Sequence, residues 1–288
     1  MISADYDGLL CAAFLHHHLN WRLEGYYNLE NLWISKDAEQ NSKELIWVDL
    51  NILPIQGKAV GGHIISWDKE IPKGFETSCN PNILAKITAD NFSKKFPFST
   101  VLFLLWLHEF PFPEEFKALA LLLHADASWL KIQNYPENCN YWFKLLSNYD
   151  WNIIKKQSKL KTFERKMDQY IYPSLYEMKA ISGKSKLKGK NMGVISKQFQ
   201  FNPDWDEDIM AELMKLFGTV FKWSPPSLPK IKRRIDGNRH KVKLSDVKKI
   251  GLMPFIKKNK VFSYAVSAPG IFNFTSFGTV RKSPIEKK

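Results

Sequence analysis

The chain has 288 residues, enough for one large domain or two modest ones, and its 44 % apolar and 14 % aromatic content excludes a wholly disordered protein. Its net charge of +13 is uneven: residues 1–150 carry −6 and residues 151–288 carry +19, which suggests a front half compatible with cations and a back half suited to polyanions. Three cysteines without CxxC spacing (Cys11, Cys79, Cys139) exclude a disulfide framework and a structural zinc site.

In chain order, a very short strand at Met1-Ile2 leads into Ser3-Ala4-Asp5-Tyr6-Asp7-Gly8. The segment from Leu9 to Trp21 is apolar on most helical faces and reads as a buried helix on a sheet. Strand signals follow at Glu44–Leu50 and at Lys58–Trp67. Ser99–Phe110 and Glu114–Ser128 read as consecutive helices parted by Pro111 and Pro113, and Asn138–Ser147 and Asp150–Tyr172 as two more. Strand and helix alternate in this part, so the expected fold class is α/β, a mostly parallel sheet flanked by helices. Residues 1–182 are expected to form that domain. Residues 183–288 form a basic α+β region that begins with the lysine-rich stretch Gly183–Lys190. Within it Asp204–Trp223 is an amphipathic helix, Lys230–Lys260 is strongly basic, and Val261–Val280 alternates as strands do. The apolar runs Val101–Leu107 and Ala118–Leu123 are too short to span a bilayer, and no basic leader opens the chain. A soluble, cytoplasmic protein with no membrane partner is expected.

The chemistry-bearing residues recur at the ends of these segments. Asp5 and Asp7 follow the first strand, Asp49 ends the next, His63 sits in Val60-Gly61-Gly62-His63-Ile64, and Asp126 follows the helix ending at His124. In open parallel sheets, strand C-termini converge on one crevice. Carboxylates and an imidazole gathered there suit a hard divalent cation and phosphoryl chemistry. His16-His17-His18 point around a helix circumference and read as a helix end rather than a ligand set.

Asp5-Tyr6-Asp7-Gly8-Leu9-Leu10-Cys11-Ala12-Ala13 resembles the first motif of the DHH phosphoesterases. Val48-Asp49-Leu50 resembles their second motif, Gly61-Gly62-His63 their third, and Ala125-Asp126-Ala127-Ser128 their fourth. The resemblance covers roughly residues 1–130. It implies an α/β fold, Mn²⁺ or Mg²⁺ as cofactor, and Asp5, Asp7, Asp49 and Asp126 as metal ligands. It also implies catalytic roles for His63, Asp5 and Asp7. The family contains single-strand exonucleases, nanoRNases, cyclic-dinucleotide hydrolases and pyrophosphatases, and a replication-fork member that binds without catalysis. This chain departs from the pattern in two places. Gly61 and Gly62 stand where the family has Asp and His, and Ser3 or Met1 stands where it has a further ligand.

Three functions follow as expectations. The first is a metal-dependent phosphoesterase or nuclease acting on single-stranded nucleic acid or a nucleotide. The second is a catalytically degenerate nucleic-acid-binding subunit, with another chain completing the N-terminal sheet edge. The third is a haloacid-dehalogenase-like phosphatase, with Asp5 as nucleophile and Asp7 as general acid/base. For polyanion binding the candidate cations are Lys184, Lys186, Lys188 and Lys190, then Lys230, Lys232, Arg233, Arg234, Arg239, Lys241 and Lys243. Phe262, Tyr264, Phe272, Phe274 and Phe277 are candidate stacking surfaces.

Overall fold

The structure, a computed structural model, describes residues 1–53, 57–67, 71–75, 78–181 and 187–278. Its centre is a six-stranded sheet built from β1 (Ile2–Ser3), β2 (Gly25–Tyr27), β3 (Asn31–Ser35), β4 (Ile46–Val48), β5 (Lys58–Val60) and β6 (Ile231–Asp236). The order is β5-β4-β1-β2-β3-β6. Pairing is parallel from β5 through β4 and β1 to β2, and antiparallel from β2 to β3 and β3 to β6. The expected α/β class holds, with a mixed sheet whose interior is parallel.

The two-residue β1 is an interior strand. It pairs with β2 on one side and β4 on the other, and the Met1 amino group donates to the Ile46 carbonyl at 3.0 Å. The expected open edge at this strand, awaiting another chain, is therefore absent: β2 and β4 already take both flanks. The helix Tyr6–Leu19 begins at once after β1 and is buried along its first ten residues. Its continuous apolar surface fits a position packed on a sheet and under other helices rather than one facing water. A Cβ on Gly8 would lie 2.2 Å from the Ser3 carbonyl oxygen, so only glycine permits this tight strand-to-helix turn.

Residue 182 does not end the main sheet. β6 lies beyond it and lines the β3 edge, and Glu207–Phe221 packs on the first helix through Phe217, whose ring meets Tyr6 edge-on at 5.4 Å. The expected helix Asp150–Tyr172 is broken into Asn152–Gln157, Lys161–Lys166 and a π-turn at Met167–Ile171. One break has a local cause: the Ser158 hydroxyl turns back onto the Ile154 carbonyl at 2.6 Å.

The last part of the chain forms a three-stranded antiparallel sheet from β7 (Asn238–Lys243), β8 (Val261–Ala268) and β9 (Ile271–Ser276), in the order β7-β9-β8. Phe262, Tyr264, Phe272 and Phe274 are buried in it. They are core residues, of which Tyr264 and Phe274 also border a cavity. Tyr27 and Ser263 hydroxyls meet at 2.6 Å, Tyr264 donates to the Ile65 carbonyl at 2.9 Å, and the Val266 amide donates to Ile64 at 2.8 Å. These bonds hold the small sheet over the C-terminal ends of β2 and β5. Among the described residues, no helix is long and apolar enough to cross a membrane.

Candidate phosphate-binding cleft

The chain runs from β1 to β2 on one side and returns with β4 on the other. That makes the β1/β4 junction a topological switch point, where side chains after the strands surround a crevice. Asp5 follows β1, Asp49 follows β4 and His63 follows β5, and all three line one cavity of about 360 Å³. Asp126 enters from the turn after the helix Phe116–His124, and Arg239 enters from β7. Tyr264, Phe274, Asn273 and Thr275 form its roof. This volume lies within the range of small-ligand pockets.

The backbone is strained where it delivers carboxylates. Asp49 has φ 60° and Asp126 φ 51°, followed by Ala127 at φ 54°. Non-glycine residues in the left-handed region are uncommon and collect at functional sites.

Each carboxylate has its own surroundings. Asp7 is 1 % exposed, and its oxygens accept from the Thr100 amide at 2.6 Å and the Val101 amide at 3.2 Å. It satisfies the free amides at the start of Thr100–Leu107 and does not line the cavity. Asp5 caps its own helix, accepting from the Gly8 amide at 3.0 Å. Asp49 accepts from the Thr100 hydroxyl at 2.6 Å. Asp126 faces Lys131, whose Nζ lies 3.6 Å from Oδ2.

One serine joins the strand ends. Ser3 Oγ lies 2.8 Å from Asp5 Oδ1 and 2.7 Å from Asp49 Oδ2. A hydroxyl has one proton to give, so both bonds form only when one carboxyl carries a proton of its own. The electrostatics agree. Burial and the nearby Asp126 charge push Asp5 up to about 6, while burial and the Asp7 and Asp5 charges hold Asp49 well above the usual carboxylate range. Burial and the Asp126 and Asp5 charges raise Asp7 as well.

Cations stand opposite. His63 is pushed down to about 3, first by the Lys95 charge and then by burial, so it is a neutral imidazole at physiological pH. Burial and the Lys131 charge lower Lys95 to about 8, against the pull of Asp126 and Asp49. The Lys131 and Lys95 charges hold Asp126 below its ordinary value against the opposing effect of desolvation. The Gly62-His63 turn is fixed by buried asparagines: Asn82 donates to the Gly62 carbonyl at 2.9 Å and Asn80 to the His63 carbonyl at 2.8 Å.

Mn²⁺ and Mg²⁺ need several oxygen ligands around one point. In this structure the candidate donors have other partners. Asp7 is sealed against the helix start, Asp126 is held by Lys131, and Asp5 and Asp49 are bridged through Ser3. Among the described residues, no group of three or more His, Cys, Asp or Glu side chains is arranged to hold a metal ion. The third motif offers no replacement, since a Cβ on Gly61 would lie 2.6 Å from the Leu50 carbonyl oxygen. Of the expected ligand set, Asp5, Asp49 and Asp126 line the one cavity and Asp7 does not, and each has its own protein partners here. Asp7, expected as a general acid/base, is turned to the Thr100 and Val101 amides and away from the cavity.

The expected polyanion-binding cations also divide. Lys232 and Arg233 pair with Glu39 at 2.8 and 3.1 Å, and Arg234 pairs with Asp204 at 2.7 Å and Asp236 at 2.6 Å. These three hold β6 to its surroundings. Arg239 lines the cleft, and Lys241 and Lys243 follow it on the same face of β7. Lys188 and Lys190 are exposed on a loop whose backbone Glu164 fixes through Asn191 and Met192, and Lys230 is exposed before β6. Lys184 and Lys186 lie outside the described residues. Sequence reasoning missed Ser3, Lys95, Thr100 and Lys131. Only Lys131 left a signal: it lies five residues beyond Asp126, on the helix that Asp126 precedes.

In comparisons with known proteins, no family model, no curated protein and no solved structure matches this chain.

Proposed function

We propose that this protein binds the phosphate of a nucleotide or of single-stranded nucleic acid in the cleft between its two sheets, on a DHH-like scaffold whose third motif no longer carries its acid and first histidine. The observation that carries this reading is one cavity holding Asp5, Asp49, His63, Asp126 and Arg239 at the switch point of a parallel sheet. Arginine recognises phosphate through a planar fork of donors. The order of Asp5, Asp49, His63 and Asp126 along the chain supports the DHH-like assignment.

A second reading is hydrolysis of the same ligand by a metal-dependent phosphoesterase. Its support is the closeness of half-buried Asp5 and Asp49 and buried Asp7, which repel one another and, among the described residues, have no lysine or arginine nitrogen within 4.0 Å.

One experiment separates the two. Wild-type protein and Asp5→Ala are incubated with end-labelled single-stranded DNA or RNA, with and without Mn²⁺, and read by fluorescence anisotropy and on a denaturing gel. The binding reading expects a bound, intact strand with both proteins. Manganese-dependent cleavage that Asp5→Ala abolishes establishes the second reading. No binding of either strand under any condition overturns both.

A further inference from the structure

The small antiparallel sheet has two unlike faces. Across β7 and β9, Arg239 stands opposite Thr275, Lys241 opposite Asn273 and Lys243 opposite Ile271. Residues directly opposite in an antiparallel pair share a face. The alternate positions pair His240 with Phe274 and Val242 with Phe272. His240 stacks on Phe274 with ring centres 4.6 Å apart, and Phe272 and Phe274 meet Phe255 edge-on. That second face is core, so Arg239, Lys241 and Lys243 are turned away from it, and all three are exposed.

The cationic face is continuous with the cleft. Arg239, Asn273 and Thr275 line the cavity, Lys241 stands beside Asn273, and Lys243 lies two residues further along β7, the outermost strand of its sheet. Among the described residues, none of the three cations has a carboxylate oxygen within 4.0 Å, whereas Lys232, Arg233 and Arg234 on β6 are all paired. Spacing selects what such a row holds. Every second residue of a strand recurs at about 7 Å. Phosphates of an inorganic polyphosphate share a bridging oxygen and lie much closer together than that. Phosphates of a nucleic acid are separated by a sugar, and an extended single strand sets them at such a pitch. A cavity of about 360 Å³ is of small-ligand size and has no room for the end of a duplex.

We infer that the ligand is a single-stranded oligonucleotide of at least three nucleotides rather than a free nucleotide, with one nucleotide in the cleft and the adjoining strand laid along β7. The inference rests on the phosphate-binding reading. Arg239 holds the phosphate inside the cleft, and Lys241 and Lys243 hold the next two outside it.

The test uses the full chain at low salt and a fluorescent, 5′-phosphorylated thymidine hexanucleotide as tracer, read by anisotropy in EDTA and again with Mn²⁺. Thymidine monophosphate and unlabelled 5′-phosphorylated thymidine strands of two, three and six nucleotides compete with it. The trinucleotide is expected to bind about tenfold or more tightly than the monophosphate, with little further gain at six. In the Lys241→Gln, Lys243→Gln double variant that gain shrinks to about twofold while the monophosphate binds as to wild type. The slope of log affinity against log salt for the hexanucleotide falls by about 1.4 in magnitude, about 0.7 for each lost phosphate contact. Lys241→Arg with Lys243→Arg keeps the gain. Thermal melting identifies a variant that fails to fold, and Lys243→Gln alone, expected to remove only the gain from the third nucleotide, then carries the comparison.

Equal affinity for the monophosphate and the trinucleotide overturns the inference while the phosphate-binding reading stands. So does an undiminished gain with length in the folded double glutamine variant. Displacement of the tracer by inorganic tripolyphosphate or by a hexaglutamate peptide as readily as by the trinucleotide also overturns it, because the row would then be a general anion or acidic-peptide surface. Failure of every strand and of the monophosphate to bind, in EDTA and with Mn²⁺, overturns the underlying reading.

Discussion

The carboxylates of the front half and the cations of the back half looked alike in sequence, as two clusters of chemistry-bearing residues. The fold treats them differently. Asp5, Asp49 and His63 are far apart in the chain but each follows a parallel strand, and adjacent strands bring them to one cavity. Lys230, Lys232, Arg233 and Arg234 are close in the chain, and three of the four are taken up by Glu39, Asp204 and Asp236. Sheet topology converts distant positions into a site, whereas the cations close together in the chain are spent on local pairs: Lys232 and Arg233 on Glu39, and Arg234 on Asp204 and Asp236.

The largest expected effect tests whether the front-half carboxylates are one unit. If Asp7 belongs to the helix start rather than to the site, Asp7→Ala leaves the Thr100 and Val101 amides buried without an acceptor. The expected loss is about 3 kcal/mol of folding stability, read by urea denaturation. Asp49→Asn keeps one acceptor oxygen and offers its amide nitrogen as a donor to the other hydroxyl, and is expected to cost far less. Equal losses for the two would mean that the four carboxylates are not divided as described.

The division into structural and cleft residues was only partly legible beforehand. The positions of Asp5, Asp49, His63 and Asp126 were readable because strand ends and helix starts leave periodic apolar patterns on either side. The sealing of Asp7 was not readable, because its partners are backbone amides 93 and 94 residues away. Lys95 sits in a connection without any motif, between a 3₁₀ helix at Ala89–Lys94 and the helix Thr100–Leu107. Gly61-Gly62 was readable as a departure, but the reason at Gly61 is the close approach of the Leu50 backbone. The Ile231–Asp236 strand was hidden inside a basic run, since its apolar partners on β3 come from residues 31–35. The mixed sheet followed from that strand and from the antiparallel return of β3.

A smaller effect sharpens the account of Asp5 and Asp49. Asp5 is pushed up to about 6 in the folded protein, above its ordinary value of 3.8. Between those pH values the folded state holds a proton that the unfolded state has released. Stability therefore falls as pH rises through this window, and the penalty is complete above about pH 6. Asp5→Asn keeps a side-chain oxygen for the Gly8 amide and carries no charge. It is expected to stabilise the protein at pH 8 by about 2 kcal/mol relative to its effect at pH 4. Melting temperatures across pH 4–8 read the difference. An Asp5→Asn advantage at pH 8 no larger than at pH 4 would remove the proton-bridged picture of the strand ends.

The smallest effect separates the cations that cluster around the start of β7. Arg234 lies over Trp33, with the guanidinium carbon 5.5 Å from the ring centre, and pairs with Asp204 and Asp236. Asp204 in turn accepts from the Trp33 indole at 2.8 Å. Arg239 lines the cleft from the next strand. Arg234→Ala is expected to lower stability by about 1 kcal/mol, since partly exposed pairs are worth little each but share one network here. It should leave oligonucleotide affinity unchanged. Arg239→Ala should do the reverse, with melting unaltered and affinity lower at every salt concentration. The pair matters because composition makes the two arginines equivalent, and only their partners differ: one closes a sheet edge that the chain needs in order to fold, and the other faces a cavity where a ligand can use it. If both variants weakened binding equally, the basic half would be acting through bulk charge rather than through a cleft residue, and the salt dependence of binding would be alike for the two.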